Sequence, residues 1–117
     1  MTGNICHFEI PSKDPETASD FYRKLFKWKI DSSSIPDYPI IETPTPPKGG
    51  IEKREPFTPG VMVYIEVEDV ASTLRQIKEA GGTILKQKTE IPDIGHFGIF
   101  SDLDGNIIGV FQDIKGN

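Results

Sequence analysis

Ile5-Cys6-His7-Phe8-Glu9-Ile10 is a strand-length stretch, followed after a short turn by Asp14-Pro15 and an amphipathic run ending in Leu25-Phe26. Met62-Val63-Tyr64-Ile65-Glu66-Val67 is another, followed by Asp69 and an amphipathic run ending in Ala80-Gly81-Gly82. A shift of about 55 positions lays one on the other without a gap: Ile10 on Ile65, Asp14 on Asp69, Tyr22 on Ile77, Leu25 on Ala80. Few residues are identical, so it is the pattern that repeats. A strand-helix unit present twice predicts two similar modules.

Side chains alternate across a strand. In the first copy Cys6, Phe8 and Ile10 therefore share one face and are expected to pack under the helices, while His7 and Glu9 point to the other. In the second, Val61, Val63, Ile65 and Val67 share one face, and Met62, Tyr64 and Glu66 the other. Asp14 is the expected N-cap of the first helix, with Pro15 at its first position. Ala18, Phe21, Tyr22 and Leu25 are the expected buried stripe. Asp69 caps the second helix, whose stripe is Val70, Leu74, Ile77 and the stem of Lys78. Gly81-Gly82 ends it.

The remaining strands follow from turn chemistry. Trp28 to Asp31 is a short strand and Ser32-Ser33-Ser34 a turn. Tyr38 to Thr43 is a third strand, held to an edge or bulge by Pro39. Pro44, Pro46, Pro47 and Gly49-Gly50 make the next stretch hard to place, and a poor fourth strand is expected near Gly50 to Lys53. Arg54 to Gly60 links the halves. Strands six, seven and eight are expected at Thr83 to Thr89, Gly95 to Ser101 and Ile107 to Gln112, the last two joined by the turn Asp102-Leu103-Asp104-Gly105-Asn106. Ile114 to Asn117 reads as a loose tail.

Each half thus reads βαβββ. The expected fold is α+β: a single domain of two modules, about residues 4–53 and 61–113, whose eight strands form a curved mixed sheet, a cup, with outer helices.

These residues resemble the vicinal oxygen chelate superfamily, that of glyoxalase I, bleomycin-resistance proteins and extradiol dioxygenases. The resemblance covers nearly the whole chain. It is carried by His7-Phe8-Glu9-Ile10 with Asp14-Pro15 and Asp20-Phe21-Tyr22, by Glu66-Val67-Glu68-Asp69-Val70, by Ala80-Gly81-Gly82, and by the turn at 102–106, which has Leu103 where the family has proline. The opening stretch is similar to small proteins described as related to lactoylglutathione lyase. In metal-using members, His or Glu side chains from the first and fourth strand of each module hold a divalent ion that binds vicinal oxygens of the substrate. The resemblance places these four positions at His7, at Gly50 or Glu52, at Met62 and at Gly109. Met62 is not a ligand for a hard metal, and Gly109 has no side chain. The resemblance therefore implies a cup without a complete catalytic metal site, and no cofactor is expected. The alternative is a metal-dependent lyase or isomerase related to lactoylglutathione lyase, using a divalent ion on His7 and Glu52.

Composition narrows the function classes. The 117 residues carry a net charge of −5, and no basic run suggests nucleic acid as a partner. The apolar stretches are strand-sized, so no membrane segment is expected, and Met1-Thr2-Gly3-Asn4 shows no secretory signal. The one cysteine, Cys6, excludes an intrachain disulfide and is expected to be a small buried residue, which fits a reducing cytoplasm. Serine-nucleophile, phosphate-loop and dinucleotide motifs are absent. The ligand-binding candidates are His7, Glu9, Met62, Tyr64, Glu66 and Gly109; no catalytic residue is assigned. His7 is either a ligand or acid/base residue or a strand histidine bonded to a neighbour, and Glu9 either orients it or sits at a watery rim. Tyr64 either binds ligand or fills the cup. Gly109 and Gly98 either leave space for a ligand or let strands approach closely. His96 is expected to be an exposed strand-end residue. A small-molecule ligand and a homodimer complete the expectation.

Overall fold

The computed structural model describes residues 3–114. Their order is β1 (Ile5–Ser12), α1 (Pro15–Phe26), β2 (Lys29–Asp31), β3 (Ile40–Glu42), β4 (Lys48–Lys53), β5 (Met62–Glu66), α2 (Val70–Glu79), β6 (Thr83–Ile91), β7 (Gly95–Ser101) and β8 (Ile107–Asp113). This is the expected α+β class, βαβββ twice. The chain divides into two compact units, one of residues 7–62 and one of residues 63 onward together with the first six.

In the first unit the strand order is β2-β3-β4-β1. β1 and β4 run parallel, with Glu9 opposite Gly50 and Pro11 opposite Glu52. β4 is antiparallel to β3, and β3 to β2. The fourth strand is longer and more central than expected. It starts at Lys48, pairs on both sides, and buries Gly49, Gly50 and Ile51. Its glycines are needed because aromatic rings lie on them: a Cβ at Gly49 would stand 2.4 Å from the Phe8 ring. The third strand is shorter than expected. Proline lacks an N–H for the ladder, and Pro39 instead lies fully buried before β3, its carbonyl accepting from the Ile51 N–H at 3.0 Å.

Asp14 caps α1 as expected, its carboxylate accepting from the Thr17 N–H at 3.2 Å and the Thr17 hydroxyl at 2.8 Å. The expected stripe is displaced, however. Phe21 and Leu25 are more than half exposed, and the buried positions are Pro15 and Ser19. Ser19 is small and bonds its own helix through the Pro15 carbonyl at 2.7 Å, so it can face the interior without an unpaired hydroxyl. Tyr22 is half-buried and stacks on Trp28 with centroids 5.1 Å apart; Trp28 also meets Phe8.

In the second unit the order is β5-β8-β7-β6. β5 and β8 are parallel, with Tyr64 opposite Gly109 and Glu66 opposite Phe111. Asn4 exchanges a bond with the edge of β5, the Glu66 N–H donating to its carbonyl at 2.8 Å. β7 and β8 form a hairpin whose turn is held by Asp102: one carboxylate oxygen accepts from the N–H groups of Asp104 and Asn106, each at 2.9 Å. Gly105 supplies the positive φ of +85°. β6 continues to Ile91, past its expected end, with two register irregularities against β7. Asp69 caps α2, and Val70 and Leu74 pack with Val110 into a core flanked by Val67, Ile77, Ile84 and Phe100.

Three smaller expectations change. Cys6 is half-buried rather than enclosed. The Ile114 N–H donates to Ile94 at 2.9 Å, so the expected loose tail starts tied; its other residues, 115–117, lie outside the described ones. Gly98 is no open space, since a Cβ there would meet Leu74 at 2.8 Å. Among the described residues no helix is long and apolar enough to cross a membrane.

Candidate functional site

His7 and Glu9 stand two apart on β1 and so share a face. The structure adds a third residue between them. Tyr38, from the segment before β3, places its hydroxyl 2.8 Å from His7 Nε2 and donates to Glu9 Oε2, also at 2.8 Å. The phenol ring lies against Gly50, where a Cβ would stand 2.2 Å from the ring. Glu9 is only 7% exposed. The watery-rim reading therefore fails, and Glu9 reaches His7 through Tyr38.

Two further residues extend the chain. Glu52, on β4, acts on Glu9 electrostatically and raises its carboxyl. Arg54 donates through Nε to Glu52 at 2.6 Å, and its other guanidinium nitrogens donate to the carbonyls of Glu55, Pro59 and Gly60. The buried acid is thereby linked to the loop joining the two halves.

Burial dominates the electrostatics. It pushes the Glu9 carboxyl up from 4.5 to about 7; the bond from Tyr38 opposes this, the charge and hydrogen bond of Glu52 reinforce it, and Arg54 opposes it weakly. Burial also holds His7 below its ordinary 6.5, toward neutral imidazole. Near neutral pH the site therefore contains a carboxyl poised between its two forms, a phenol and a neutral imidazole. A proton can pass along such a chain, because the hydroxyl of Tyr38 both donates and accepts.

In the second unit Tyr64 fills the place opposite Gly109. A Cβ there would lie 2.2 Å from its ring, so the space imagined at Gly109 is occupied. Tyr64 and Met62 are both buried, at 8% and 4% exposure. Glu66 is half-buried, and its charge helps raise the Cys6 thiol, after burial itself. The candidates thus separate: His7 and Glu9 join one network, and Tyr64 and Gly109 pack as ring on backbone. His96, expected to be exposed, is half-buried, with Nδ1 shut from solvent and lacking a partner.

Register shows which β4 residue is the counterpart of Gly109. Gly109 is opposite Tyr64, two residues past Met62; Gly50 is opposite Glu9, two residues past His7. Gly50, not Glu52, is therefore the counterpart of Gly109. Both fourth-strand positions are glycines under tyrosine rings. Among the described residues no group of three or more His, Cys, Asp or Glu could hold a metal ion. A resident divalent ion needs several converging N or O donors, and this donor set does not fit one.

Sequence reasoning missed Tyr38 and Arg54. The sequence pattern places Tyr38 inside a strand and gives no sign that it reaches residues about thirty positions away.

The family model for the Glyoxalase/Bleomycin resistance protein/Dioxygenase superfamily matches residues 4–110. The chain belongs to that superfamily. A glyoxylase-like domain-containing protein of Didymella fabae is 30% identical over 116 residues, covering 91% of each chain. The supposed glyoxylase CFP32 of Mycobacterium bovis is 29% identical over 95% of this chain, which spans 44% of that relative's length. Among solved structures, a superfamily member from Vibrio splendidus superposes with a TM-score of 0.69 at 18% identity, covering 96% of this chain and 100% of the other. A Streptomyces coelicolor methylmalonyl-CoA epimerase superposes with a TM-score of 0.72 at 13% identity, covering 100% and 99%. At such identities these structures establish the shared fold.

Proposed function

We propose that this superfamily member binds a small oxygenated molecule at the face of β1 and β4 carrying His7 and Glu9, and that it does so without a resident divalent metal. The observation that carries the reading is the His7–Tyr38–Glu9 chain, two 2.8 Å contacts converging on one oxygen beside a nearly enclosed carboxyl. Buried polar groups of this kind cost stability unless they are paired, and here they form a connected set that can equally pair with a ligand's hydroxyl or carbonyl. Glu9 would give or take a proton, and His7 would fix the ligand oxygen.

The experiment is a thermal-shift screen of small hydroxy and oxo compounds on protein purified without chelator, with metal analysis of the same sample. The expected result is a ligand-dependent rise in Tm that disappears in His7→Ala, with metal far below one ion per chain. A stoichiometric divalent ion on His7 and Glu52 would overturn the metal-free reading and return the lyase alternative. The reading also includes self-association and a cytoplasmic setting. The apolar side chains Phe21, Leu25 and Phe26, all more than half exposed on α1, support pairing with a second copy. A single-subunit mass by light scattering at micromolar concentrations would remove that part.

A further inference from the structure

Tyr38 differs in kind from the residues it bridges. His7 and Glu9 are fixed by the β1–β4 ladder. Tyr38 belongs to no strand; it ends an irregular segment in which Asp37 has a φ of +58°. Its backbone is held on both sides: its N–H donates to the Ile35 carbonyl at 3.3 Å, and the next residue, Pro39, is fully buried with its carbonyl bonded to Ile51. The ring is therefore positioned by side-chain torsions about a fixed pivot. It also borders a cleft of about 470 Å³ lined by Pro15, Ser32, Asp37, Pro39, Lys13 and Lys53 among others.

What the ring leaves behind on turning is specific. Gly50 offers a bare backbone surface on which any Cβ would collide with the phenol, at 2.2 to 2.4 Å from Cε2, Cζ and Oη. At the edge of that surface His7 Nε2 and Glu9 Oε2 converge on a single hydroxyl position. A flat floor with two polar groups aimed at one in-plane oxygen complements a hydroxylated planar ring. Tyr64 on Gly109 shows the contrast: its ring also lies on glycine, but its backbone is a strand residue held in register, so its place is structural.

We propose that Tyr38 is an internal ligand, its phenol holding a site whose external ligand is a phenolic compound that enters when Tyr38 turns toward the cleft. This rests on the reading of His7 and Glu9 as ligand-binding residues and adds the chemical class of the ligand. It also makes Tyr38 a gate, since ligand and side chain compete for the same oxygen position.

The probe is p-cresol, the tyrosine side chain as a free molecule, with toluene as the same shape lacking the hydroxyl. Binding is measured by calorimetry to the full chain as wild type, Tyr38→Ala and Tyr38→Ala combined with His7→Ala. The expected result is that Tyr38→Ala binds p-cresol about tenfold or more tighter than toluene, the worth of roughly one buried hydrogen bond. That preference should shrink in the double variant. Wild type should bind p-cresol about tenfold or more weakly than Tyr38→Ala, because its own ring competes, and the NMR signals of the Tyr38 ring should move on saturation. Equal binding of toluene and p-cresol would show a mere cavity and overturn the proposal, as would saturation of wild type with the Tyr38 signals unmoved. Should Tyr38→Ala fail to fold, Tyr38→Phe serves: it keeps the ring but loses the hold on His7 and Glu9, so p-cresol should bind it several-fold tighter than wild type, and unchanged affinity refutes the gate. A His7-dependent Tm rise with aliphatic hydroxy acids, without any p-cresol binding, would sink the phenol inference alone and leave the site standing.

Discussion

Glu9→Gln isolates the one carboxyl whose titration the fold has moved into the neutral range. The amide has nearly the same shape, can still accept from Tyr38, and carries no titrating proton. In the wild type, Glu9 rises from 4.5 in the open chain to about 7 in the folded one. Between these values the native state holds a proton that the unfolded state has released, so stability must fall as pH rises. The full contribution is present below about pH 4.5 and is lost as pH passes through 7. A shift of this size corresponds to ~3 kcal/mol. His7 works in the opposite sense: its depressed value means that stability is gained as pH rises toward 6.5, and it would blur a wild-type profile. The measurement is therefore a difference, variant minus wild type, from urea unfolding at a series of pH values. The difference should climb by ~3 kcal/mol from pH 4.5 to about pH 8 and be level on either side. A difference independent of pH would refute the argument, because it would mean that Glu9 titrates alike in both states and that its burial and the neighbouring Glu52 charge have no effect.

Gly109→Ala should cost about 1–3 kcal/mol in unfolding free energy, because its Cβ meets the Tyr64 ring, which can yield somewhat. Gly95→Ala should cost more, since its Cβ would stand 2.1 Å from the Gln112 carbonyl oxygen, where backbone must move. Leu74→Ala, in the Val70–Leu74–Val110 core, should cost about 3 kcal/mol by urea unfolding.

Much of the fold could be read from local chemistry. Asp14 and Asp69 cap helices because a carboxylate that reaches the third helical N–H is a strictly local device, and it occurs in both copies at the same offset. The 102–106 turn is equally local, and β7 falls where the turn signals place it. What escaped was set by contacts distant in sequence. Gly49 and Gly50 look like breakers until Phe8 and Tyr38 are seen lying on them. The face α1 buries is chosen by Ser19, whose small side chain and internal hydrogen bond let it turn inward in place of Phe21. His7 and Glu9 were placed on one face by period alone, but the hydroxyl joining them lies 29 and 31 residues away, and no pattern in either segment announces it.

The two modules meet the same structural condition with different chemistry. Each has a glycine on its fourth strand opposite the first strand, and each covers it with a tyrosine ring. In the second module the tyrosine is the opposing strand residue itself, Tyr64. In the first module that opposing residue is Glu9, 55 positions earlier, and the ring is brought in by Tyr38. Only the first module's arrangement leaves a buried acid to be satisfied, which is why the polar network develops around Glu9. It follows that Gly50→Glu alone would not bring a carboxylate beside His7. The new Cβ would collide with the Tyr38 ring before its carboxylate could reach the neighbourhood of His7. The ring would have to leave first, which would open the contacts to His7 and Glu9. In this module a side chain at position 50 and the Tyr38-centred network are mutually exclusive uses of the same space.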